Sequence, residues 1–224
     1  LFGSRTASLA VQGLWGCTAI VVVSERGAWA SHIWENTFND HQSYLNGALP
    51  SLHFGHGRGD LYHPFALAEM IASPHNGDEG VVFGDKDEGA VEVGTHVYIM
   101  APYSRPWPRF DVTFHPYFTD LQLENNKFDP RPDRGLYYGA LIDLLKNDIR
   151  TILGQDVPIE TIPYAPMVLN NALEEQRQRG LLPLEEQIDM LGDVDQTTAR
   201  GKALIQYHPA KTCRGWAEWR AWFE

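Results

Sequence analysis

Cysteine, positive charge and long hydrophobic runs are all scarce in this chain. Its 224 residues include two cysteines, too few for a scaffold built on disulfides but enough for one bridge or one reactive thiol. The 18 Lys and Arg residues are outnumbered by 29 Asp and Glu residues, and the formal net charge is -11 at pH 7. An acidic chain without a basic run repels a phosphate backbone, so we expect no nucleic-acid partner.

The longest apolar run, Ala19 to Val23, is far shorter than the roughly 18 residues of a membrane helix. We therefore predict no membrane span. The first residue is Leu1 and not methionine, and no signal segment follows it. We therefore expect a processed or excised piece of a longer product. No Asn-x-Ser/Thr acceptor is present, and two cysteines suit a secreted domain as well as an intracellular one, so composition leaves the compartment open.

The apolar pattern predicts a mixed α and β domain. Three strands joined by turns, Ser8 to Gln12, Thr18 to Val23 and Ala28 to Ile33, are expected to form a β-meander. Apolar residues at helical spacing predict a helix from Leu136 to Leu153, with Gly154 as its stop, and the predicted apolar stripe is Leu141, Leu144, Leu145, Ile149 and Ile152. Further strands are predicted at Thr95 to Ala101, Phe110 to Phe114, Ile159 to Tyr164 and Ala203 to Tyr207, whereas Trp216 to Phe223 fits a strand or a helix.

The chain shows no repeat and no domain boundary, so residues 1–224 are interpreted as a single domain. Residues 36–93 are rich in Gly, His, Asp, Asn and Pro and are expected to form a loop-rich insertion on the surface. A short helix from Pro64 to Ala72 is predicted within them.

The best candidate for chemistry is the pair Cys17 and His32. A cysteine becomes a strong nucleophile as a thiolate, and a neighbouring imidazole can take its proton and pass it to a leaving group. Cys17 begins one strand and His32 ends the next, so a hairpin returns the two to neighbouring strands, which lie about 4.8 Å apart. Gly13 and Gly16 would let backbone amides approach a substrate carbonyl, as in an oxyanion hole.

The stretch Gly16-Cys17-Thr18, followed by His32-Ile33-Trp34-Glu35, resembles a known family. It is similar to the cysteine and histidine glutamine deamidases typified by the catalytic domains of cytotoxic necrotizing factor toxins and by bacterial chemotaxis receptor deamidases. It also resembles uncharacterised filamentous-fungal proteins with the same Gly-Cys-Thr and His-x-Trp-Glu pair. The chemotaxis enzymes have a threonine six residues before the cysteine. Val11 stands there in this chain, so the third group is Gln12, a backbone carbonyl, or absent.

The resemblance implies a core of antiparallel sheets in a β-sandwich, with helices packed outside. It also implies a toxin-like or effector-like cysteine hydrolase that acts on a glutamine side chain of a protein substrate, through a thioester on Cys17 with His32 as general base and acid. Deamidation and transglutamination share that thioester. No cofactor is implied.

Two other readings stay open. Cys17 and Cys213 could form a structural disulfide in a non-catalytic, secreted interaction module, which would remove the nucleophile. The side chains of His53, His56, Asp60 and His63 are of types that bind zinc, although their Gly-rich segment lacks the His-Glu-x-x-His helix pattern. A metal-dependent hydrolase that uses this segment is thus the weaker alternative, and the leading interpretation includes no metal site.

Overall fold

A computed structural model describes residues 5–14, 16–38, 40–54, 66–72, 83, 94–103, 135–136, 138–164, 201–210 and 217–224. Within these ranges the chain forms two β-sheets and several helices. Mixed α+β architecture, as predicted, is confirmed.

The larger sheet has four strands, with β2 (Thr18–Val23) and β4 (His96–Pro102) at its centre and β3 (Ala28–Ile33) and β5 (Ile159–Tyr164) at its edges. Every residue of β2 is buried, because both faces of the sheet are covered. Strands β3, β2 and β4 pair antiparallel, whereas β4 and β5 pair parallel. This parallel pair departs from the all-antiparallel core that was predicted.

The smaller sheet has three strands in the order β1 (Ala7–Val11), β6 (Ala203–His208) and β7 (Glu218–Phe223), all antiparallel. The predicted meander is therefore wrong at its first strand, since β1 pairs with β6 and not with β2. The segment between β1 and β2 carries the chain from one sheet to the other. The terminal stretch, which fitted a strand or a helix by sequence, is strand β7.

The helical elements are two short α-helices, α1 (His41–Ser43) and α2 (Leu49–Phe54), with a π-helical turn between them, then α3 (Glu69–Ala72) and α4 (Gly139–Leu153). The sequence predicted surface loops for residues 36–93 apart from a short helix ending at Ala72, where α3 also ends. Residues 41–54, predicted as loop, are helical and bury Tyr44 and Leu52.

Helix α4 ends as predicted at Gly154, whose φ of 107° favours glycine. Its start at Gly139 is three residues later than predicted. The buried face differs from the predicted stripe, because Ile142 is fully buried whereas Leu144 is 36% exposed. Apolar spacing alone did not separate these two faces.

Two buried clusters account for the described core. One packs the even-numbered side chains of β2, including Ile20 and Val22, with α4 and the segment 38–52. The other contains side chains of both sheets, among them Val21 of β2 and Ile205 of β6. At about 25 cal/mol for each Å² of apolar area removed from water, such clusters are the main favourable term in folding.

Strands β4, β5 and β6 match the predicted strands to within one residue at each end. The strand predicted at Phe110 to Phe114 lies outside the described residues. None of the described helices is long and apolar enough to cross a membrane.

Candidate functional site

A tight turn sets the position of His32 relative to Cys17. The Ser24 hydroxyl accepts hydrogen bonds from the amides of Arg26 (3.0 Å) and Gly27 (3.2 Å), and the Ser24 amide donates to the Gly27 carbonyl (2.8 Å). These bonds close the β2–β3 hairpin and fix its register, in which His32 lies opposite Ala19.

Cys17 and His32 lie on the same face of this hairpin. Cys17, one residue before β2, packs in the same buried cluster as Ala19. Because side chains alternate along a strand, His32 shares the face of Ala19 and is the diagonal neighbour of Cys17. Such diagonal positions are about 7–8 Å apart, which long and aromatic side chains can bridge. The hairpin register therefore gives Cys17 and His32 diagonal positions on one face, two residues away from direct opposition.

The backbone of Cys17 is held from a distant part of the chain. The hydroxyl of Tyr164, the last residue of β5, donates a buried hydrogen bond of 2.6 Å to the Cys17 carbonyl oxygen. The Cys17 side chain is only 7% exposed. The cysteine therefore has a well-defined backbone position and little direct contact with solvent.

The imidazole of His32 stacks on the indole of Trp34, with ring centroids 4.4 Å apart and an interplanar angle of 22°. Nε2 of His32 is shielded from solvent, whereas Trp34 is 42% exposed. The indole thus covers the imidazole at the protein surface and limits its orientations.

The loop before Cys17 is fastened to the smaller sheet. The amide of Leu14 donates to the carbonyl of Gly201 (3.3 Å), and a Cβ atom on Gly201 would lie 2.7 Å from the Leu14 carbonyl oxygen. Gly13 has a φ of 75°, a conformation that glycine adopts readily. Glycine is thus favoured at position 13 by the backbone conformation and at position 201 by the close approach of Leu14. Gly16 is buried next to Cys17.

The remaining candidates are placed less closely. Gln12 follows β1 in the smaller sheet and has an exposed side chain, so its role as the third group stays a prediction. Glu35 begins a short 3-10 turn directly after Trp34 and is half-buried. Cys213 lies in a part of the chain that the structure does not describe, so the proposed bridge to Cys17 also stays a prediction.

The histidine-rich segment can be judged only at His53, which lies in α2 with its ring 6.1 Å from that of Phe54. His56, Asp60 and His63 fall outside the described ranges. Among the residues that are described, no group of three or more His, Cys, Asp or Glu side chains could hold a metal ion.

Sequence reasoning missed Tyr164 as a partner of the site. It appeared only as the end of a predicted strand, and a contact spanning 147 positions leaves no local pattern. Trp34 has a sequence signal, because it stands two positions after His32, the spacing that puts two side chains on one side of a strand.

Comparisons of this chain with known protein families, with curated proteins and with solved structures found no match.

Proposed function

We propose that this protein is a cysteine-dependent amide hydrolase that removes ammonia from the glutamine side chain of a protein substrate. The observation that supports it best is the hairpin register, which gives Cys17 and His32 diagonal positions on one face. A thiol and an imidazole at such positions can exchange a proton once a substrate is bound, because catalytic hydrogen bonds often tighten in the complex.

In the proposed reaction, His32 takes the proton of Cys17, and the thiolate sulfur attacks the carboxamide carbon. The carbon–nitrogen bond breaks, and His32 returns the proton to the leaving nitrogen, which departs as ammonia. Water then attacks the thioester with His32 as general base, and the products are a glutamate side chain and the regenerated thiol. If a primary amine replaces water, the product is a new amide and the reaction is a transglutamination.

Two features of the surroundings agree with this chemistry. The hydrogen bond from Tyr164 holds the Cys17 backbone, which reduces the motion of the attacking sulfur. The stack with Trp34 restricts the imidazole, and its Nε2 atom is shielded from solvent, which strengthens polar interactions within a site. We propose that the substrate glutamine approaches past the exposed edge of Trp34, beside His32.

A second candidate function rests on the burial of Cys17. A thiol that is 7% exposed among apolar side chains is also what a structural cysteine shows, and it suits a non-catalytic interaction module. In that reading Cys17 is inert or bridged to Cys213.

Thiol labelling separates the two candidates. The native protein is treated with iodoacetamide near neutral pH without reductant, and the labelled peptides are located by mass spectrometry. The hydrolase proposal predicts rapid labelling of Cys17, slowed by His32→Gln but not by His208→Gln, which changes an exposed histidine on β6. Labelling of both cysteines only after reduction would support the bridged module.

Activity is then measured as ammonia release from a panel of glutamine-containing proteins, with deamidated sites located by mass spectrometry. Cys17→Ser should abolish turnover, whereas Cys213→Ser should retain it. Loss of a nucleophile or its base in such pairs reduces rates by orders of magnitude, so a variant lacking Cys17 with undiminished turnover would rule out the proposal.

A further inference from the structure

A second site candidate lies away from Cys17, where the edges of the two sheets meet. Strand β5 is an edge of the four-stranded sheet and β7 is an edge of the three-stranded sheet. Between them is an open groove of about 530 Å³, within the range of small-molecule sites. The candidate pair of the proposed hydrolase does not line this groove.

Aromatic rings belong to four of the eight residues described as lining the groove. Tyr98 of β4 contacts Phe223 with ring centroids 4.9 Å apart and meets Trp219 edge to face at 6.5 Å. Trp222, also lining the groove, is 43% exposed. Four aromatic side chains from β4 and β7 therefore line one opening. The ring contacts link Tyr98 with Trp219 and Phe223, whereas Trp222 alternates with Phe223 along β7.

The groove also carries a carboxylate at the aromatic wall. Glu160 is exposed and lies directly opposite Tyr98 in the parallel pairing of β4 and β5. Burial and, after it, the charge of Glu160 raise the pKa of the Tyr98 hydroxyl above its ordinary value. The phenol ring therefore stays neutral at physiological pH beside a negative charge.

Among the described residues of the wall, the one cation, Arg220, is already neutralised in part. Arg220 forms an ion pair of 3.2 Å with Glu218, and both side chains are more than half exposed. An exposed pair of this kind is screened by water and adds little repulsion toward a second cation. The chain as a whole has a formal net charge of -11, which favours the approach of positive ligands.

We propose that this groove binds a small organic ammonium ion, with its alkylated nitrogen against the aromatic faces and its charge balanced by Glu160. The π faces of tryptophan and tyrosine attract cations, and several rings around one opening form the kind of cage that recognises quaternary ammonium groups. A neutral ligand would use the rings but would leave the carboxylate without a counter-charge.

The test is calorimetric titration of the full chain with choline and with dimethylbutanol, the uncharged analogue in which carbon replaces the nitrogen. We expect saturable binding of choline and a dissociation constant about tenfold higher for the neutral analogue. Equal affinity for the two compounds, or no choline binding, would overturn the proposal. Binding of a trimethyllysine peptide without binding of choline would also overturn it, since the occupant would then be a protein.

Five variants locate the site. Trp222→Ala should weaken choline binding about tenfold and Glu160→Gln about fivefold. Arg220→Gln should leave the affinity unchanged or raise it, because it removes a positive charge from the wall. Phe54→Ala, which removes an aromatic side chain of α2 that is 75% exposed, is the matched control and should have no effect. Trp222→Phe keeps an aromatic ring at this position, so it distinguishes loss of the cation contact from misfolding of Trp222→Ala. Wild-type affinity of Glu160→Gln for choline would contradict the assignment of the carboxylate to the site.

Discussion

The hydroxyl of Tyr164 donates a hydrogen bond to the carbonyl oxygen of Cys17 and so ties the end of β5 to the start of β2. The bond is buried and spans 147 positions of the chain. A buried carbonyl without such a donor would carry a desolvation cost, so the contact stabilises the fold as well as the position of the cysteine.

Tyr164→Phe tests both consequences. It leaves the Cys17 carbonyl oxygen buried without this donor, and we expect the free energy of unfolding in urea to fall by about 1–3 kcal/mol. Iodoacetamide should also label Cys17 faster, because the backbone is held less firmly. An unchanged urea midpoint together with an unchanged labelling rate would show that the hydrogen bond does neither.

Trp34 offers a test of the proposed base. Trp34→Ala removes the stack on His32, an interaction of about 0.5–1.5 kcal/mol, so ammonia release should slow several-fold. Trp34→Phe keeps an aromatic face and should restore most of the rate, which a general loss of stability would not explain. If both variants match the wild type in kcat/KM, the stack has no part in positioning the imidazole.

Gly201 and Gly135 form a natural pair for a backbone test. Both have positive φ angles, 64° and 70°, but only at Gly201 would an added Cβ meet another residue, the Leu14 carbonyl oxygen at 2.7 Å. Gly135→Ala should cost about 1 kcal/mol for the left-handed backbone alone. Gly201→Ala should cost about 2 kcal/mol or more, measured by urea unfolding, and equal losses would contradict the close approach of Leu14.

From the raised pKa of the Tyr44 hydroxyl we expect a loss of stability in alkali. Burial first, and then its hydrogen bond to Asp148, raise the pKa of the Tyr44 hydroxyl above the ordinary value of 10.0. Below that value the phenol is neutral in both states and adds no pH dependence. Above it the unfolded chain ionises while the folded chain keeps the proton, so stability falls as pH rises.

The matched variant is Tyr44→Phe. From about pH 9 to pH 11 it should lose about 1.4 kcal/mol less unfolding free energy than the wild type, because it lacks this titration. Its absolute stability at neutral pH is lower for the separate reason that the bond to Asp148 is absent. Parallel stability curves for the two proteins would show that Tyr44 ionises normally in the folded state.

Local chemistry made several elements predictable. The β-branched run Val21 to Val23 favours a strand, and the turn from Ser24 to Gly27 closes on itself through backbone and hydroxyl contacts within four residues. Helix α4 stops at Gly154 because only glycine readily takes that backbone conformation. Such features depend on neighbours in the chain, so they can be read from the sequence.

The sequence by itself determined the strands other than β7, the hairpin and hence the shared face of Cys17 and His32, because alternation and turn closure are short-range effects. Only the tertiary structure decided that β1 joins β6, that Ile142 and not Leu144 is buried, and that Tyr164 holds Cys17. It also decided that β5 and β7 enclose a groove. Those outcomes depend on which distant surfaces cover each other, and apolar periodicity marks what must be buried without naming its partner.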